Sequence, residues 1–455
     1  MTTDRRLLLA AVFAWLAVAV LGLVLGPPLG HDEAAFAVSA RGGGPAWVYR
    51  SAGVTEVARL GILLGGATWQ LRIASAVLGT LVIVGAYAVG TAAFSARTGA
   101  WTAAVIAGAH PLALRASELI GDLPATGCIL LGIALLTSEL SRDQGPRWRL
   151  VLVGPAFAIA FYLRYASAPV ILLAGLAALA LWWRPIVRRP LPVLAALAAF
   201  VILLLPHVLQ SLAATGKLFG ILEVSANMPR RAYIGEGLVT YLTPSNPFRY
   251  YGALVAPLLI AGVVGVVRLP VHWRPALFLG IVGLGQVLAI GVQSHAQPRY
   301  IFVAIVLLVA LGIDALMRFA PPRLRIAALP LVVLAWIGVV VTVPLYSRFL
   351  ADARSHLVTA ATAVRTDAGG ARCLVVAKVV TQLMWYTRCA EHRFTAPEKL
   401  PPWPLDRRIY VVSVPRATLT IEAALEPRPA LVRELPLPPP ARAWRVLPAP
   451  TVPGF

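Results

Sequence analysis

Between Leu7 and Tyr346 the chain carries eleven apolar runs separated by polar connectors, and this succession limits the fold more than any other feature. The runs are approximately Leu7–Gly26, Ile73–Phe94, Ala100–Leu114, Leu123–Ser138, Leu150–Leu163, Pro169–Trp183, Leu191–Ala214, Tyr251–Val267, Pro275–Val292, Ile301–Met317 and Ile326–Tyr346. About twenty apolar residues in helical form cross the hydrocarbon layer of a bilayer, and lipid leaves backbone groups no partner except one another. The 455 residues are 59% hydrophobic and 13% charged, too apolar to cover a water-facing surface. The expected class is an α-helical polytopic membrane protein with about eleven spans. Three cysteines exclude a disulfide scaffold and a Cys-rich metal centre.

The net charge of +21 resembles that of a nucleic-acid binder until the charges are placed. Fourteen Lys and Arg, from Arg5 and Arg6 to Arg323 and Arg325, fall in the connectors on one side of the expected membrane. These connectors are short, as the positive-inside rule requires of cytoplasmic loops. The N-terminus is therefore expected inside, with the run Leu7–Gly26 as an uncleaved first span. An odd span count then puts the C-terminus outside. Orientation accounts for much of the charge, and no nucleic-acid partner is implied.

Residues 1–346 read as the transmembrane domain, with long outer loops at 27–72 and 215–250. Residues 347–455 read as an extracytoplasmic α/β appendage, since no run there could span a bilayer. Arg372–Ala377 and Arg408–Val414 read as strands, Val379–Arg388 as a helix, and the Pro-rich stretch Pro436–Phe455 as irregular. Cys373 and Cys389 fall in this oxidising compartment, either disulfide-bonded or as two free thiols.

In so apolar a chain the few acids carry the most information. Gly30-His31-Asp32-Glu33 follows the first run, where Asp32 is either a base or the N-cap of a loop helix. Asp122, before Pro124, offers the same two readings. Arg72, Arg164 and Arg299 stand at the outer ends of runs, placed to hold a lipid phosphate or to snorkel to headgroups. Tyr233, Glu236, Tyr241, Asn246, Arg249, Tyr250 and Tyr251 suit either sugar stacking or an interfacial aromatic belt. His31, His110 and His295 show no metal-ligand spacing. Asp314 suggests no role.

An acid pair outside the first span, an Arg-led second span (LRIASAVLGTLVIVGAYAVG) and a third span running through His110-Pro111 toward Asp122 resemble the C-type integral-membrane glycosyltransferases. The similar branch holds the protein O-mannosyltransferases and the lipid A aminoarabinose transferases, of glycosyltransferase family 39. The resemblance covers roughly residues 1–320 and is best in the first 140. Departures are a first loop that is short for the family and carries Gly42-Gly43-Gly44, and an appendage that matches neither group.

The resemblance implies sugar transfer from a polyprenyl-phosphate donor to a glycan, lipid or protein acceptor on the outer face of a bacterial plasma membrane. Transfer would be an inverting single displacement. By position, Asp32 matches the catalytic base and Glu33 its neighbouring acid. Asp122 matches a residue that binds the acceptor or a cation, which makes a divalent cation a candidate cofactor. Arg299, with Arg72 and Arg164, would hold the donor phosphate. The competing reading is a secondary transporter or lipid flippase, which would favour ionisable groups near the middle of the membrane.

Overall fold

The structure is a computed structural model and describes residues 3–42, 49–141, 148–188, 190–227, 232–267, 273–319, 321–393, 407–415, 418–419 and 430–448. Gly43, Gly44, Arg142, Arg147, Arg189 and Arg268 lie outside the described residues, as do the side chains of Arg323 and Arg325. The chain divides into two compact units. One comprises residues 1–24, 48–57 and 72–344, and the other residues 25–47, 58–71 and 345–455.

All eleven apolar runs fall on helices. Among the described residues, eight helices are long and apolar enough to cross a membrane: Thr3–Val24, Thr68–Ala93, Asp122–Leu140, Tyr165–Arg188, Pro190–Thr215, Trp273–Gln293, Pro298–Phe319 and Ala327–Ala368. The other three runs fall on the shorter helices Ala96–Ala107, Trp148–Leu163 and Val255–Val267. Lipid tails are as apolar as leucine, so close backbone approach rather than water exclusion holds such helices together. At Gly127 a Cβ would stand 2.5 Å from the Leu81 Cβ, which ties the helix Asp122–Leu140 directly to Leu81–Ala93. The helix of Phe302–Phe319 is buried from Phe302 to Ala315 and forms the centre of the first unit.

The long connector after the first run is structured. It contains the helices His31–Ala40 and Ala52–Leu63. The last long helix also departs from expectation. It runs unbroken from Pro322 to Ala368, so the change of composition at Ser347 marks no helix end. Leu357, Ala360, Ala361, Val364 and Ala368 recur at helical spacing and form one core with the appendage sheet, while charged residues occupy the other faces.

That sheet has five strands: β1 (Cys373–Ala377), β2 (Ala390–Arg393), β3 (Arg408–Ser413), β4 (Ala430–Glu434) and β5 (Arg442–Pro448), in the order β2-β1-β3-β5-β4. β1 pairs in parallel with β2 and β3, and β5 pairs antiparallel with β3 and β4. β1 is buried along its whole length, as a continuous apolar run in a parallel strand should be. The Pro-rich stretch expected to be irregular in fact supplies β5. Ala443 enters one face's core, and Trp444 and Val446 the other, and this alternation outweighs the flanking prolines. At the helix end, Arg408 donates to the Asp367 and Ala368 carbonyls, and the Tyr410 hydroxyl donates to Asp367 Oδ2 at 2.7 Å. Burial pushes the Tyr410 phenol up to about 12, so it remains a neutral donor. Cys373 and Cys389 are disulfide-bonded.

Candidate active site

The first unit assembles Asp122, Arg164 and Arg299. Asp122 is the first residue of the helix Asp122–Leu140, after an N-cap at Gly121. It is therefore not the cap. Arg164 ends the helix Val153–Leu163 with extended backbone, which turns its side chain out of the helical path. A Cβ at Gly121 would collide with the Leu163 carbonyl oxygen, so only glycine lets the two helix ends approach. Asp122 and Arg164 form an ion pair there, and Asp122 is 7% exposed.

Arg164 also reaches the segment before the helix Phe302–Phe319. Its Nη1 donates to the Arg299 carbonyl at 3.4 Å, and its guanidinium lies 5.0 Å from the Tyr300 ring centre. The Arg299 guanidinium lies 5.4 Å from the same ring. Arg299 Nε donates to Gln297 Oε1 at 2.7 Å, and Gln297 Nε2 meets His295 Nε2 at 2.7 Å. Two guanidinium groups thus share one aromatic ring, a cation–π arrangement worth about 0.5–2 kcal/mol per contact. Arg164, Tyr300, Ser225, Gln293 and Ser294 line a cavity of about 270 Å³.

Two of the loop tyrosines connect to this cluster through Gln297. Tyr241 donates to the Gln297 carbonyl at 3.1 Å, and Tyr251 donates to the Tyr241 carbonyl at 2.6 Å. Both are buried, and burial pushes the Tyr241 phenol up to about 12. They act as packing rather than as open stacking platforms, whereas Tyr233 is exposed. Glu236 accepts from the Ala232 N–H, and Asn246 caps the turn at Pro247–Tyr251. An apolar cavity of about 450 Å³, bordered by Tyr241, Tyr251, Ile301 and Leu308, lies along the same elements.

Arg72 is 1% exposed, on a buried face of its helix. Its neighbour Ser75 donates to the Glu118 and Ile120 carbonyls at 2.9 and 3.1 Å, anchoring the loop that leads to Asp122. Asp314, for which the sequence suggested no role, pairs with Arg318 one turn on at 2.7 Å. Among the described residues no three of His, Cys, Asp and Glu stand together as metal ligands. At Asp122 the guanidinium of Arg164 takes the place a cation would need, so this donor set does not fit a divalent metal.

The acid pair belongs to the second unit. The helix His31–Ala40 has Gly30 as its N-cap, so His31, Asp32 and Glu33 are its first three residues. The Gly30 N–H donates to Glu33 Oε2 at 2.8 Å, which is half of a capping box. Glu33 is 3% exposed, and Arg354 Nη1 stands 3.9 Å from the same oxygen. Asp32, one residue earlier, is only partly buried. The capping duty thus falls to Glu33.

Several residues of these clusters were not singled out from the sequence. Tyr300 and Gln297 flank Arg299 in the Gln297–Tyr300 tetrapeptide, and their neighbour was the only signal for them. Arg354 carries no local signal at all, being a single arginine more than 300 residues from Glu33.

Residues 54–209 match the dolichyl-phosphate-mannose-protein mannosyltransferase family. Among curated protein sequences nothing matches the chain. Its fold is similar to that of ArnT from Cupriavidus metallidurans bound to undecaprenyl phosphate. There the TM-score is 0.74 at 16% identity, with 98% of each chain covered. It is also similar to the apo oligosaccharyltransferase of Archaeoglobus fulgidus, with a TM-score of 0.58 at 13% identity, covering 90% of this chain and 69% of that one. The oligosaccharyltransferase AglB from Archaeoglobus fulgidus, in complex with an inhibitory peptide and a dolichol-phosphate, gives 0.55 at 13% identity over 85% of this chain and 64% of that one.

Proposed function

We infer that this chain, a membrane glycosyltransferase by its family match and its fold, moves a sugar from a polyprenyl-phosphate carrier to an acceptor on the extracytoplasmic face of a plasma membrane. The observation that carries the reading is the pair of guanidinium groups, Arg164 and Arg299, on the ring of Tyr300 beside a cavity. A polyprenyl phosphate departs as an anion, and preorganised cations at the leaving oxygen lower the barrier to its departure. Guanidinium groups suit that task, since their fork of donors matches phosphate geometry. The apolar cavity that starts at Ile301, next to Tyr300, suits the first isoprene units of such a carrier. Undecaprenyl phosphate and dolichol-phosphate, bound by the bacterial and archaeal proteins of similar fold, belong to the same donor class.

The chemistry proposed is a single displacement. Asp32 takes the proton from the acceptor's nucleophilic group as that group attacks the anomeric carbon. The bond from that carbon to the phosphate oxygen breaks, the electron pair leaves with the phosphate, and the configuration inverts. Asp122 orients Arg164 and does not itself meet substrate. Arg72, being buried, serves as support. The orientation follows from the inner-connector arginines, with the N-terminus in the cytoplasm.

The test reconstitutes the full chain in liposomes with a radiolabelled polyprenyl-phosphate sugar and an extract of cell-envelope acceptors. Label should appear in acceptor, with free polyprenyl phosphate as co-product, and Asp32→Asn should abolish it. Movement of the donor across the bilayer without transfer would identify a flippase instead and overturn the reading.

A further inference from the structure

The appendage helix Thr381–Thr387 has no part in the chemistry above, yet it meets the Asp32-bearing segment at three points of the same unit. Thr381 Oγ1 lies 2.9 Å from His31 Nδ1 and 3.1 Å from the His31 carbonyl oxygen. The Tyr386 hydroxyl accepts from the Leu29 N–H at 2.7 Å. The Arg41 guanidinium lies 3.8 Å from the centre of the Trp385 ring, and its Nη1 donates to the Trp385 carbonyl at 3.4 Å. These contacts fall on the entry, the first residue and the C-cap of the helix His31–Ala40.

A ten-residue helix is about 15 Å long, and one held at both ends neither slides nor turns about its axis. The rotation matters because successive side chains leave a helix about 100° apart, so a small turn re-aims the second residue, Asp32. The Thr381 hydroxyl has one proton to give and faces the His31 carbonyl oxygen, His31 Nδ1 and, at 3.3 Å, Gln382 Oε1. Thr381 therefore holds both the ring and the backbone of the residue before Asp32.

The clamp is itself held. Cys373 and Cys389 bracket it, with their Cα atoms 4.8 Å apart, so the disulfide closes the loop that carries the helix. Thr387 Oγ1 accepts from the Cys389 N–H at 3.1 Å and donates to the Leu383 carbonyl at 2.6 Å.

We propose that the helix Thr381–Thr387 is a positioning clamp for the proposed catalytic base, with Thr381, Trp385 and Tyr386 setting the direction in which Asp32 is presented. The proposal rests on the reading of Asp32 as that base.

The experiment compares Thr381→Val, Thr381→Ser and Asp32→Asn in the full chain reconstituted in liposomes. A misplacement of about 1 Å costs on the order of 100-fold in rate. Thr381→Val should therefore lower kcat by tenfold or more, while KM for the donor stays within about twofold. Thr381→Ser, which restores the hydroxyl, should recover most of the loss. A wild-type kcat in Thr381→Val overturns the clamp, and so does a loss that serine does not rescue. Full activity in Asp32→Asn overturns the base assignment instead, so the two failures are distinct. A measurement independent of turnover completes the test. Amide hydrogen exchange across residues 31–36 should rise about tenfold in Thr381→Val, because removing the contact lowers the local opening free energy. Unchanged exchange overturns the clamp whatever the transfer assay reads.

Discussion

Two helix starts carry the acids of the candidate sites, and in sequence they look alike. Gly30 precedes His31-Asp32-Glu33, Gly121 precedes Asp122, and neither glycine offers a capping side chain. The surroundings then diverge. At the first start Glu33 turns back to the Gly30 amide, which leaves the partly exposed Asp32 out of the capping bond. At the second start Asp122 is buried and paired with Arg164. Two acids at similar helix starts thus stand in different surroundings, one beside a glutamate that makes the capping bond and the other against an arginine. Each description holds within its own unit, and the contrast is one of local chemistry.

The contrast predicts unequal responses to the same change. Asp32→Asn keeps the shape and removes the base, so transfer should fall by about 10²–10⁴-fold, the usual contribution of a positioned general base. Expression and thermal stability should hold, because asparagine keeps the shape and polarity of this partly exposed side chain. Single-turnover transfer measured in liposomes checks this, and a rate within tenfold of the wild type would show that Asp32 is not the base.

Arg164→Ala should act on stability first. It leaves the Asp122 carboxylate buried without its partner, at a cost of about 3–5 kcal/mol. Thermal unfolding in detergent should show the loss. The double variant Asp122→Asn with Arg164→Ala should recover much of it, since the stranded charge is gone. If the double variant falls by the sum of its singles, the two residues act independently and the second half of the comparison collapses.

Legibility differed between fold and site for physical reasons. The apolar runs were readable because lipid demands long, unbroken apolar helices, and all eleven proved helical. The strands Cys373–Ala377 and Arg408–Ser413 were readable because buried parallel strands are continuously apolar. The helix beyond Tyr346 was missed because its charged residues dominate the composition while its buried stripe is sparse, largely Leu357, two alanines and Val364. Strand β5 was missed because the prolines around it read as irregular structure. Among the site residues, Asp32, Asp122, Arg164 and Arg299 stood out because an apolar chain shows its few charges plainly. Arg354, Thr381 and Tyr386 are ordinary polar residues in a polar appendage, and only the fold brings them to residues 28–33.

The smallest expected effect tests the comparison most finely, because it separates two neighbouring acids. Glu33 was matched in sequence to the acid beside the base, yet its carboxylate is occupied at the Gly30 amide and faces Arg354. Glutamine can make the same capping bond through its amide oxygen, whereas alanine cannot. Glu33→Ala should therefore cost about 0.5–2 kcal/mol of stability, in the range of lost helix caps. Glu33→Gln should stay within about 1 kcal/mol of the wild type. The charge it removes is held from Arg354 at 3.9 Å, longer than a hydrogen bond. Transfer by the glutamine variant should remain within a few-fold of normal, measured beside Asp32→Asn in the same liposomes. Were Glu33→Gln as inactive as Asp32→Asn, the carboxylate itself would be needed in the reaction. Capping would then no longer distinguish Glu33 from Asp32, and both acids of the pair would belong to the chemistry.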